Sequence, residues 1–368
     1  MLLPVSVSFP SQAANKAKLL QRPRVDVGIL GATGTVGQHF VALLANHPWF
    51  RVSWLAASER SSGKTYGDLP WRLSEPLPED AAKLTIEPLR AGLGPQLVFS
   101  ALDSSVAGDA EVEFASAGHW VVSNARNHRM DPLVPLLIPE INADHLQLIP
   151  LQKQKKGWKG AIVTDPNCST IVLALALAAL RPFELKKVLV TTLQALSGAG
   201  YPGVAALDAT ANVIPFIDGE EPKMESESKK ILGRYSSGQI EQHPVTISAT
   251  TTRVPVVHGH TESVSVELGH KVSNDDILAA FHEFSGPPQK LGLPSAPPRA
   301  IVYHREPNRP QPRLDVDRDA GMSIQVGRLR PCSILSHKFV LLGHNVVRGA
   351  AGAAILNAEL MAADGLLD

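Results

Sequence analysis

A cysteine stands at the start of an apolar run, in the segment Asp165-Pro166-Asn167-Cys168. The run that follows, IVLALALAAL, predicts a buried helix, and asparagine is a residue type that caps helix N-termini. The free N–H groups and the positive dipole end of a helix favour a thiolate. The segment therefore predicts a nucleophilic thiol at Cys168. The alternative is a small buried residue that begins a helix.

A second group of reactive side chains lies in RVPVVHGH, residues 253–260, at the end of a predicted strand. Histidine is the side chain best suited to move protons near neutral pH, although a single histidine is also common as an ordinary surface or core residue. Strand alternation places Arg253 and His260 on opposite faces. The two side chains converge only where Gly259 bends the chain.

A strand, a glycine turn and a helix follow one another near the start of the chain: VDVGIL (25–30), the turn Gly31–Gly37, and QHFVALLANH. This order places a pyrophosphate on the helix N-terminus, as in dinucleotide-binding folds. The second strand is followed by Ser58, Arg60 and Ser61, which suit the 2′-phosphate of NADP, whereas Glu59 leaves NAD open. A thiol and a nicotinamide cofactor together suggest thioester chemistry.

The remaining patterns predict an α/β fold with two sheets. Further buried strands at 51–58, 96–102 and 120–125 indicate a Rossmann-like, doubly wound parallel sheet. Longer alternating strands after Cys168 indicate a second α+β domain with a large mixed or antiparallel sheet; they lie at 186–196, 245–257, 262–268 and 322–329. We expect residues 286–318 to form an ordered segment within a domain and not a linker between domains. The small-residue helix near the C-terminus should pack back on the first domain.

Length and composition narrow the class of protein. At 368 residues the chain exceeds one ordinary core, which favours two domains. Lysine plus arginine equals aspartate plus glutamate, at 35 each, so neither nucleic acid nor an anionic membrane is favoured as a partner. Two cysteines fit a reducing compartment, which favours the cytoplasm. Residues 1–24 carry four basic and no acidic residues. We expect them to be an irregular N-terminal tail, and the alternative is an organellar targeting leader.

Eight segments, in order over residues 25–365, resemble aspartate-semialdehyde dehydrogenases, in particular the archaeal and fungal branch. They are GATGTVGQ, ASERSSGK, SNARNHRMDPLVPLLIPEIN, DPNCST, LQALSGAGYPG, IPFIDGEEPKMESESKKILG, TRVPVVHGHTESV and HNVVRGAAGAAILNAEL. The resemblance implies an NADP-binding domain (25–166), a catalytic and dimerisation domain (167–345) and a C-terminal helix (346–368). Residues 1–24 have no counterpart in the family pattern, and we expect them to form an N-terminal extension. The resemblance also implies a homodimer or homotetramer.

The resemblance assigns roles to individual residues. It implies that Cys168 is the nucleophile, His260 the acid/base and Gln194 the amide that orients the acyl group. The implied substrate-binding residues are Arg129, Asn127, Glu220, Lys223 and Arg253, with Glu221 left open as the group that holds the substrate amine. The implied cofactor-binding residues are Gly31, Thr33, Gly34, Thr35, Val36, Ser58, Arg60, Ser61, Ser197, Gly198 and Asn345. No metal is implied. His258 stands at a variable position and is treated as a bystander.

The activity implied by the resemblance is the reversible, NADPH-dependent reduction of L-aspartyl-4-phosphate to L-aspartate 4-semialdehyde. This step feeds lysine, threonine and methionine synthesis. A malonyl-CoA reductase on the same scaffold is the nearest alternative. N-acetylglutamyl-phosphate reductase fits less well, because its acetylated substrate has no free amine for Glu220. A non-catalytic paralogue is a third reading, and the presence of Cys168, Gln194, Arg253 and His260 argues against it.

Overall fold

A computed structural model describes residues 24–367. Its strands are β1 (Val25–Leu30), β2 (Phe50–Ala57), β3 (Ile86–Pro88), β4 (Leu97–Ser100), β5 (Trp120–Ser123), β6 (Ala161–Thr164), β7 (Leu185–Gln194), β8 (Arg234–Ser236), β9 (Gln239–Glu241), β10 (Thr246–Arg253), β11 (His260–Leu268), β12 (Ile301–His304), β13 (Ile324–Pro331) and β14 (His337–Gly343). The sequence-based expectations for residues 1–24 lie outside the described residues, apart from Arg24.

The α-helices range from one turn to more than three. They are α1 (Thr35–Leu44), α2 (Glu79–Ala82), α3 (Ser104–Ala117), α4 (Pro139–Asn142), α5 (Ile149–Lys156), α6 (Cys168–Leu180), α7 (Ala206–Ala209), α8 (Glu220–Ile231), α9 (Asn274–Glu283), α10 (Pro287–Leu291), α11 (Pro312–Asp315) and α12 (Gly352–Ala363). Within residues 24–367, none of the helices combines the length and apolar composition needed to cross a membrane.

The first sheet is parallel and has the order β3-β2-β1-β4-β5-β6. This is the order of doubly wound dinucleotide-binding sheets, in which ligands bind at the carboxyl ends of the strands. The buried strand residues, such as Val27 and Ile29, share a core with Phe40 of α1 and with Ile355 and Leu356 of α12. The C-terminal helix therefore packs against the first sheet.

The second sheet is mixed and has the order β10-β7-β11-β14-β13-β12. Strand β7 pairs in parallel with β10 and antiparallel with β11. Its residues alternate between buried and exposed, so one face of the sheet packs against α6 and the opposite face is exposed. The two-sheet α/β architecture predicted from the sequence is confirmed, and the stretch 286–318 is ordered, since it contains α10, β12 and α11.

Candidate active site

Three neighbouring strands of the second sheet bring polar side chains together in one row. Arg253 ends β10 directly beside Gln194, which ends β7. On the other side of β7, Thr261 faces Leu193, so His260 at the start of β11 comes level with Gln194. All three polar side chains are buried on the inner face of the sheet. The row therefore lies on the side of the sheet that α6 covers.

The expectation that one strand runs through residues 245–257 is wrong. Strand β10 ends at Arg253, and His260 belongs to the next strand. The chain reverses between them through Gly259, whose φ of 100° lies in the region that favours glycine. Arg253 and His260 thus share a face because they lie on different strands on either side of β7. The predicted bend at Gly259 is present.

Cys168 is the first residue of α6. The side-chain oxygen of Asn167 accepts hydrogen bonds from the backbone N–H groups of Ser169 and Thr170, at 3.0 and 3.3 Å. The predicted helix cap is therefore confirmed. A Cβ built on Gly349 would lie only 2.7 Å from the Cβ of Cys168. Because only glycine fits there, the segment before α12 packs closely against the thiol-bearing residue.

The thiol of Cys168 contacts the imidazole of His260. The Sγ atom lies 3.2 Å from Nε2, and the other ring nitrogen, Nδ1, accepts a hydrogen bond of 3.0 Å from the backbone N–H of Ala195. Burial and nearby Arg253 lower the pKa of His260 to about 3, so the imidazole is neutral at physiological pH. The structure thus places a neutral histidine against a half-buried thiol.

The charge state of the thiol differs from the sequence-based expectation. Burial, and then the negative charge of Glu220, raise the pKa of Cys168 to about 12, although Arg129, Arg253 and Lys223 oppose this shift. The start of a helix would favour the thiolate, but the loss of hydration outweighs it. The protein as described therefore holds a protonated thiol, which must lose its proton before or during attack.

Glu220 joins the start of α8 to this cluster. Its Oε1 accepts hydrogen bonds from the side-chain amides of Asn167 at 2.6 Å and Gln194 at 3.2 Å, and its Oε2 pairs with Lys223 at 2.7 Å. Burial alone would raise the pKa of Glu220, but these partners lower it below its ordinary value. Glu221 accepts instead from the backbone N–H of Thr251. The geometry therefore favours Glu220 over Glu221 as the carboxylate of the site.

Arg253 is fixed by the turn that follows β7. Its Nη1 donates to the carbonyl oxygen of Ala195 at 2.7 Å, and only 8% of the residue is exposed. A Cβ built on Gly198 would lie 2.8 Å from this Nη1 and 3.0 Å from Cε1 of His260. Glycine at 198 therefore lets the turn approach both side chains.

Arg129 lies in a buried ion pair that the sequence did not predict. Its Nη1 donates to Oε1 of Glu227 at 3.1 Å, and its Nη2 donates to the carbonyl oxygen of Asn124 at 2.7 Å. Oε2 of Glu227 accepts the backbone N–H of Asn167 at 2.8 Å. Arg129 is 7% exposed and Glu227 is 1% exposed. Glu227 follows Glu220 by seven residues on one helix, which is the periodic signal that would have identified it.

Two residues close to Arg129 in the sequence, Arg126 and Asn127, are exposed, unlike Arg129. Arg126 is exposed, and its Nη1 and the Cε of Lys223 each lie 4.0 Å from a Cβ built on Gly219, so the two cations flank the start of α8. Asn127, which was expected to bind substrate, donates instead to the carbonyl oxygen of Ser104 at 2.9 Å and thereby ties its loop to α3. Arg126 is therefore a solvent-accessible cation near Lys223 that the sequence analysis missed.

Ser197 and Asn345, both expected at the nicotinamide end of the cofactor, are in direct contact. The amide of Asn345 donates to Oγ of Ser197 at 2.8 Å and accepts the N–H of Gly259 at 2.9 Å. Nδ1 of His258 lies 3.0 Å from the same Oγ. His258, treated as a bystander in the sequence analysis, thus contacts one of the residues expected at the cofactor.

The glycine turn lies at the carboxyl end of β1. Gly31 has a φ of 79°, and a Cβ there would lie 2.6 Å from the carbonyl oxygen of Ala101, while a Cβ on Gly37 would lie 2.3 Å from the carbonyl oxygen of Gly31. The N-cap of α1 is Gly34, and no side chain caps this helix. No capping side chain therefore occupies the backbone N–H groups at the start of α1. The remaining turn residues expected at the cofactor are Thr33, Thr35 and Val36.

Ser58, Arg60 and Ser61 follow β2, the strand next to β1 in the sheet. Ser58 and Arg60 are exposed, and the backbone N–H of Ser61 donates to the carbonyl oxygen of Ser58 at 2.9 Å, which closes the turn. The turn thus lies at the same edge of the sheet as the glycine turn. Among residues 24–367, histidine, cysteine and carboxylate side chains form no cluster that would hold a metal ion.

Two family models match the chain. The model described as "Semialdehyde dehydrogenase, NAD binding domain" matches residues 26–149, and the model described as "Semialdehyde dehydrogenase, dimerisation domain" matches residues 177–348. Among curated relatives, the aspartate-semialdehyde dehydrogenase of Archaeoglobus fulgidus is 51% identical over 340 residues, which cover 92% of this chain and 98% of the relative. The enzyme of Cryptococcus neoformans is 47% identical over 363 residues, which cover 94% and 99%.

Solved structures give the same result. A crystal structure of aspartate-semialdehyde dehydrogenase with NADP from Candida albicans superposes with a TM-score of 0.86 at 40% identity, over 93% of this chain and 99% of that one. The Vibrio cholerae aspartate-semialdehyde dehydrogenase II complexed with ASA has a TM-score of 0.73 at 23% identity, over 92% and 98%, and shares the fold.

Proposed function

Because the chain belongs to the aspartate-semialdehyde dehydrogenase family of oxidoreductases, we propose that it reduces L-aspartyl-4-phosphate to L-aspartate 4-semialdehyde with NADPH, reversibly, through a thioester on Cys168. The observation that carries this proposal is the contact between Cys168 Sγ and His260 Nε2, surrounded by Gln194, Glu220 and Arg253. The product would supply lysine, threonine and methionine synthesis, as the family resemblance implies.

The chemistry divides into two halves. Sγ of Cys168 attacks the acyl carbon, the S–C bond forms, the bond from carbon to phosphate oxygen breaks, and the thiol proton leaves with the phosphate. When bound, NADPH would supply the hydride that reduces the thioester to the oxyanion of a thiohemiacetal. The C–S bond then breaks, the aldehyde leaves, and a solvent proton restores the thiol. The amide of Gln194, held between Glu220 and Thr192, would orient the acyl group.

Four charged side chains would hold the substrate. The guanidinium of Arg253 has the fork geometry that binds the α-carboxylate. Glu220 would pair with the substrate ammonium, because its carboxylate is ionised and lies beside the thiol-bearing helix start. Lys223 would bind the leaving phosphate together with exposed Arg126 across Gly219. Both terminal nitrogens of the Arg129 guanidinium already donate hydrogen bonds, to Glu227 and to Asn124. Direct binding of phosphate by Arg129 therefore stays a prediction.

NADP is the cofactor that the first sheet suits. The glycine turn leaves the backbone open at the uncapped start of α1, where a pyrophosphate binds favourably. Arg60 and the flanking serines would receive the 2′-phosphate. Ser197 with Asn345 would contact the nicotinamide end. The Candida albicans relative, solved with NADP, supports this choice.

The exposed face of the second sheet would form the subunit interface of a homodimer, or of a homotetramer built from two dimers. Leu189 and Leu193 of β7 are 48% and 40% exposed, which is unusual for a mid-sheet strand. The family model that covers this part of the chain is described as a dimerisation domain. We propose a cofactor domain at 25–166, a catalytic domain at 167–345, and a C-terminal segment from residue 346; the helix expected over 346–368 is shorter in the structure, where α12 spans Gly352–Ala363.

The proposal is tested by a substrate panel on the purified protein. Aspartate semialdehyde with NADP should give NADPH only when phosphate is present, and NAD should be a poorer acceptor. Malonyl-CoA with NADPH should react far more slowly. Glu220→Gln should weaken the use of aspartate semialdehyde more than that of an analogue without the amine. Higher activity on malonyl-CoA, unaffected by Glu220→Gln, would show that the chain is a malonyl-CoA reductase.

A further inference from the structure

The side chain of His258 forms one end of a chain of hydrogen bonds that the proposed reaction does not use. The backbone N–H of Gly259 donates to Oδ1 of Asn345 at 2.9 Å, and Nδ2 of Asn345 donates to Oγ of Ser197 at 2.8 Å. Nδ1 of His258 lies 3.0 Å from the same Oγ. Because a backbone N–H can only donate, Gly259 fixes which end of the Asn345 amide faces Ser197.

The hydroxyl of Ser197 has one proton and two lone pairs to share among its partners. One lone pair accepts the amide N–H of Asn345, and within residues 24–367 the other side-chain partner of this hydroxyl is His258. If the imidazole donated as well, the proton of Ser197 would have no protein partner. The arrangement that pairs every group is therefore the one in which Ser197 donates its proton to Nδ1 of His258.

We propose that His258 is a positioning residue that acts through Ser197. Its Nδ1 holds the hydroxyl proton, so that Ser197 turns its remaining lone pair, and not its proton, toward the cofactor. An oxygen lone pair accepts from the N–H2 end of the nicotinamide carboxamide and not from its oxygen, so one orientation of the carboxamide is selected. This proposal rests on the proposed contact between Ser197 and the nicotinamide end of NADP.

The ring of His258 is itself held in place by a second histidine. It stacks on His344, with ring centroids 5.2 Å apart and an angle of 27° between the planes. Nδ1 of His344 accepts the backbone N–H groups of Val346 and Val347, both at 3.2 Å. Burial, and then the proximity of His258 and His39, lower the pKa of His344 to about 3, so the supporting ring is neutral near neutral pH. The stack keeps Nδ1 of His258 directed at the hydroxyl.

His258 also lies close to the first domain. Burial, and then the proximity of His258, lower the pKa of His39 to about 4, and His39 belongs to α1. The start of α1 is where the pyrophosphate of the cofactor is expected, whereas Ser197 and Asn345 are expected at its nicotinamide end. His258 therefore lies beside the residues expected at both ends of the nicotinamide half of the cofactor, which is where a positioning residue for that half has to be.

The probe for this role is the 3-acetylpyridine analogue of NADP, in which a methyl group replaces the N–H2 of the carboxamide. Calorimetric titration of the full chain gives the ratio of the two dissociation constants, analogue over NADP. Dividing it by the same ratio for Ser197→Ala removes the effect of the changed ring. At about pH 8, above the ordinary pKa of histidine, the wild type should then prefer NADP about three- to tenfold, the scale of one hydrogen bond.

Two variants separate the acceptor from the ring. His258→Phe keeps an aromatic ring for the stack on His344 but lacks Nδ1, whereas His258→Asn loses the ring but carries an acceptor, Oδ1, the same number of bonds from Cα. We expect the preference for NADP to be lost in His258→Phe and kept in His258→Asn. A wild-type preference in His258→Phe, equal losses in the two variants, or no preference in the wild type would each overturn the proposal.

The direction of the hydrogen bond can also be read without a ligand, from ¹⁵N NMR of protein labelled at its 13 histidines. The signals of His258 are those lost in His258→Asn. At about pH 8 we expect Nδ1 to have the shift of an unprotonated nitrogen. A protonated Nδ1 would overturn the proposal, because Ser197 would then accept from both neighbours.

Neither measurement involves the substrate, so the role of His258 and the proposed function fail separately. Expected binding ratios in a protein that does not act on aspartate semialdehyde would refute the proposed function and support the role of His258. An active wild-type enzyme, together with a His258→Phe variant that prefers NADP as strongly as the wild type does, would refute the role of His258 while the function stands.

Discussion

The buried pair of Arg129 and Glu227 gives a prediction whose size follows from the structure. The two residues are 7% and 1% exposed, and Glu227 also accepts the backbone N–H of Asn167, next to the nucleophile. Removing one member of a buried pair leaves an uncompensated charge, at a cost of about 3–5 kcal/mol. We therefore expect Arg129→Met to lower the free energy of unfolding by about that amount.

Glu227→Gln should cost less than Arg129→Met. Burial, with the charge of Glu227 as a further contribution, raises the pKa of Asp165 well above its ordinary value, and Arg129 lies close enough to oppose that shift. Once Glu227 is neutral, Asp165 can ionise and compensate Arg129. In the double variant no charge is left unpaired, so its loss should be smaller than the sum of the single losses by about 1–3 kcal/mol.

The assay is urea unfolding of the four proteins at one fixed protein concentration, because oligomers couple stability to concentration. Additive losses would mean that the two side chains do not stabilise each other. If Arg129→Met unfolds at the same urea concentration as the wild type and differs only in a raised KM for phosphate, the buried-pair interpretation is wrong. Arg129 would then bind phosphate directly, as the sequence comparison implies.

Three further predictions concern charge. Arg60→Ala should weaken NADP binding about tenfold or more and leave NAD binding nearly unchanged, and equal losses in titrations with both cofactors would contradict the 2′-phosphate role. Arg126→Ala should raise the KM for phosphate, whereas Arg90→Ala, at an exposed arginine before β4, should not; equal KM values in the two variants would exclude Arg126 from the phosphate site. Burial raises the pKa of Glu262 well above its ordinary value, so the folded protein keeps a proton on this carboxyl that the unfolded chain loses. The free energy of unfolding therefore falls as the pH rises above the ordinary pKa of a glutamate. The stability of Glu262→Gln relative to wild type should therefore increase from about pH 5 to about pH 8, by at most about 1.4 kcal/mol per pH unit, and a pH-independent difference in melting temperature would contradict this.

Local signals in the sequence were sufficient for the parts of the site that depend on short segments. The cap at Asn167 and the glycine turn at Gly31 each lie within one strand-turn-helix segment, and both are present. Strand alternation also predicted the two sheets. It could not show that Arg253 and His260 lie on different strands, because the order β10-β7-β11 depends on pairing between distant segments.

The remaining features depend on tertiary contacts that no local pattern contains. Arg126 and Arg129 are three residues apart in one segment, yet one is exposed and the other is paired with Glu227 of a distant helix. The position of the His260 ring depends on a hydrogen bond from a backbone N–H, that of Ala195, which any residue except proline would supply. The pKa of Cys168 depends on burial, which outweighs the helix start that the sequence does show.

The thioester on Cys168 is tested most directly by omitting phosphate. Protein mixed rapidly with aspartate semialdehyde and NADP should release about one NADPH per Cys168 and then stop, because the acyl group stays on sulfur until phosphate accepts it. Mass spectrometry should find the acyl group on the peptide that contains Cys168. Adding phosphate should restore turnover. Cys168→Ser should give neither the burst nor the adduct, whereas Cys332→Ser should give both. Steady NADPH formation without phosphate, or a full burst from Cys168→Ser, would contradict the account.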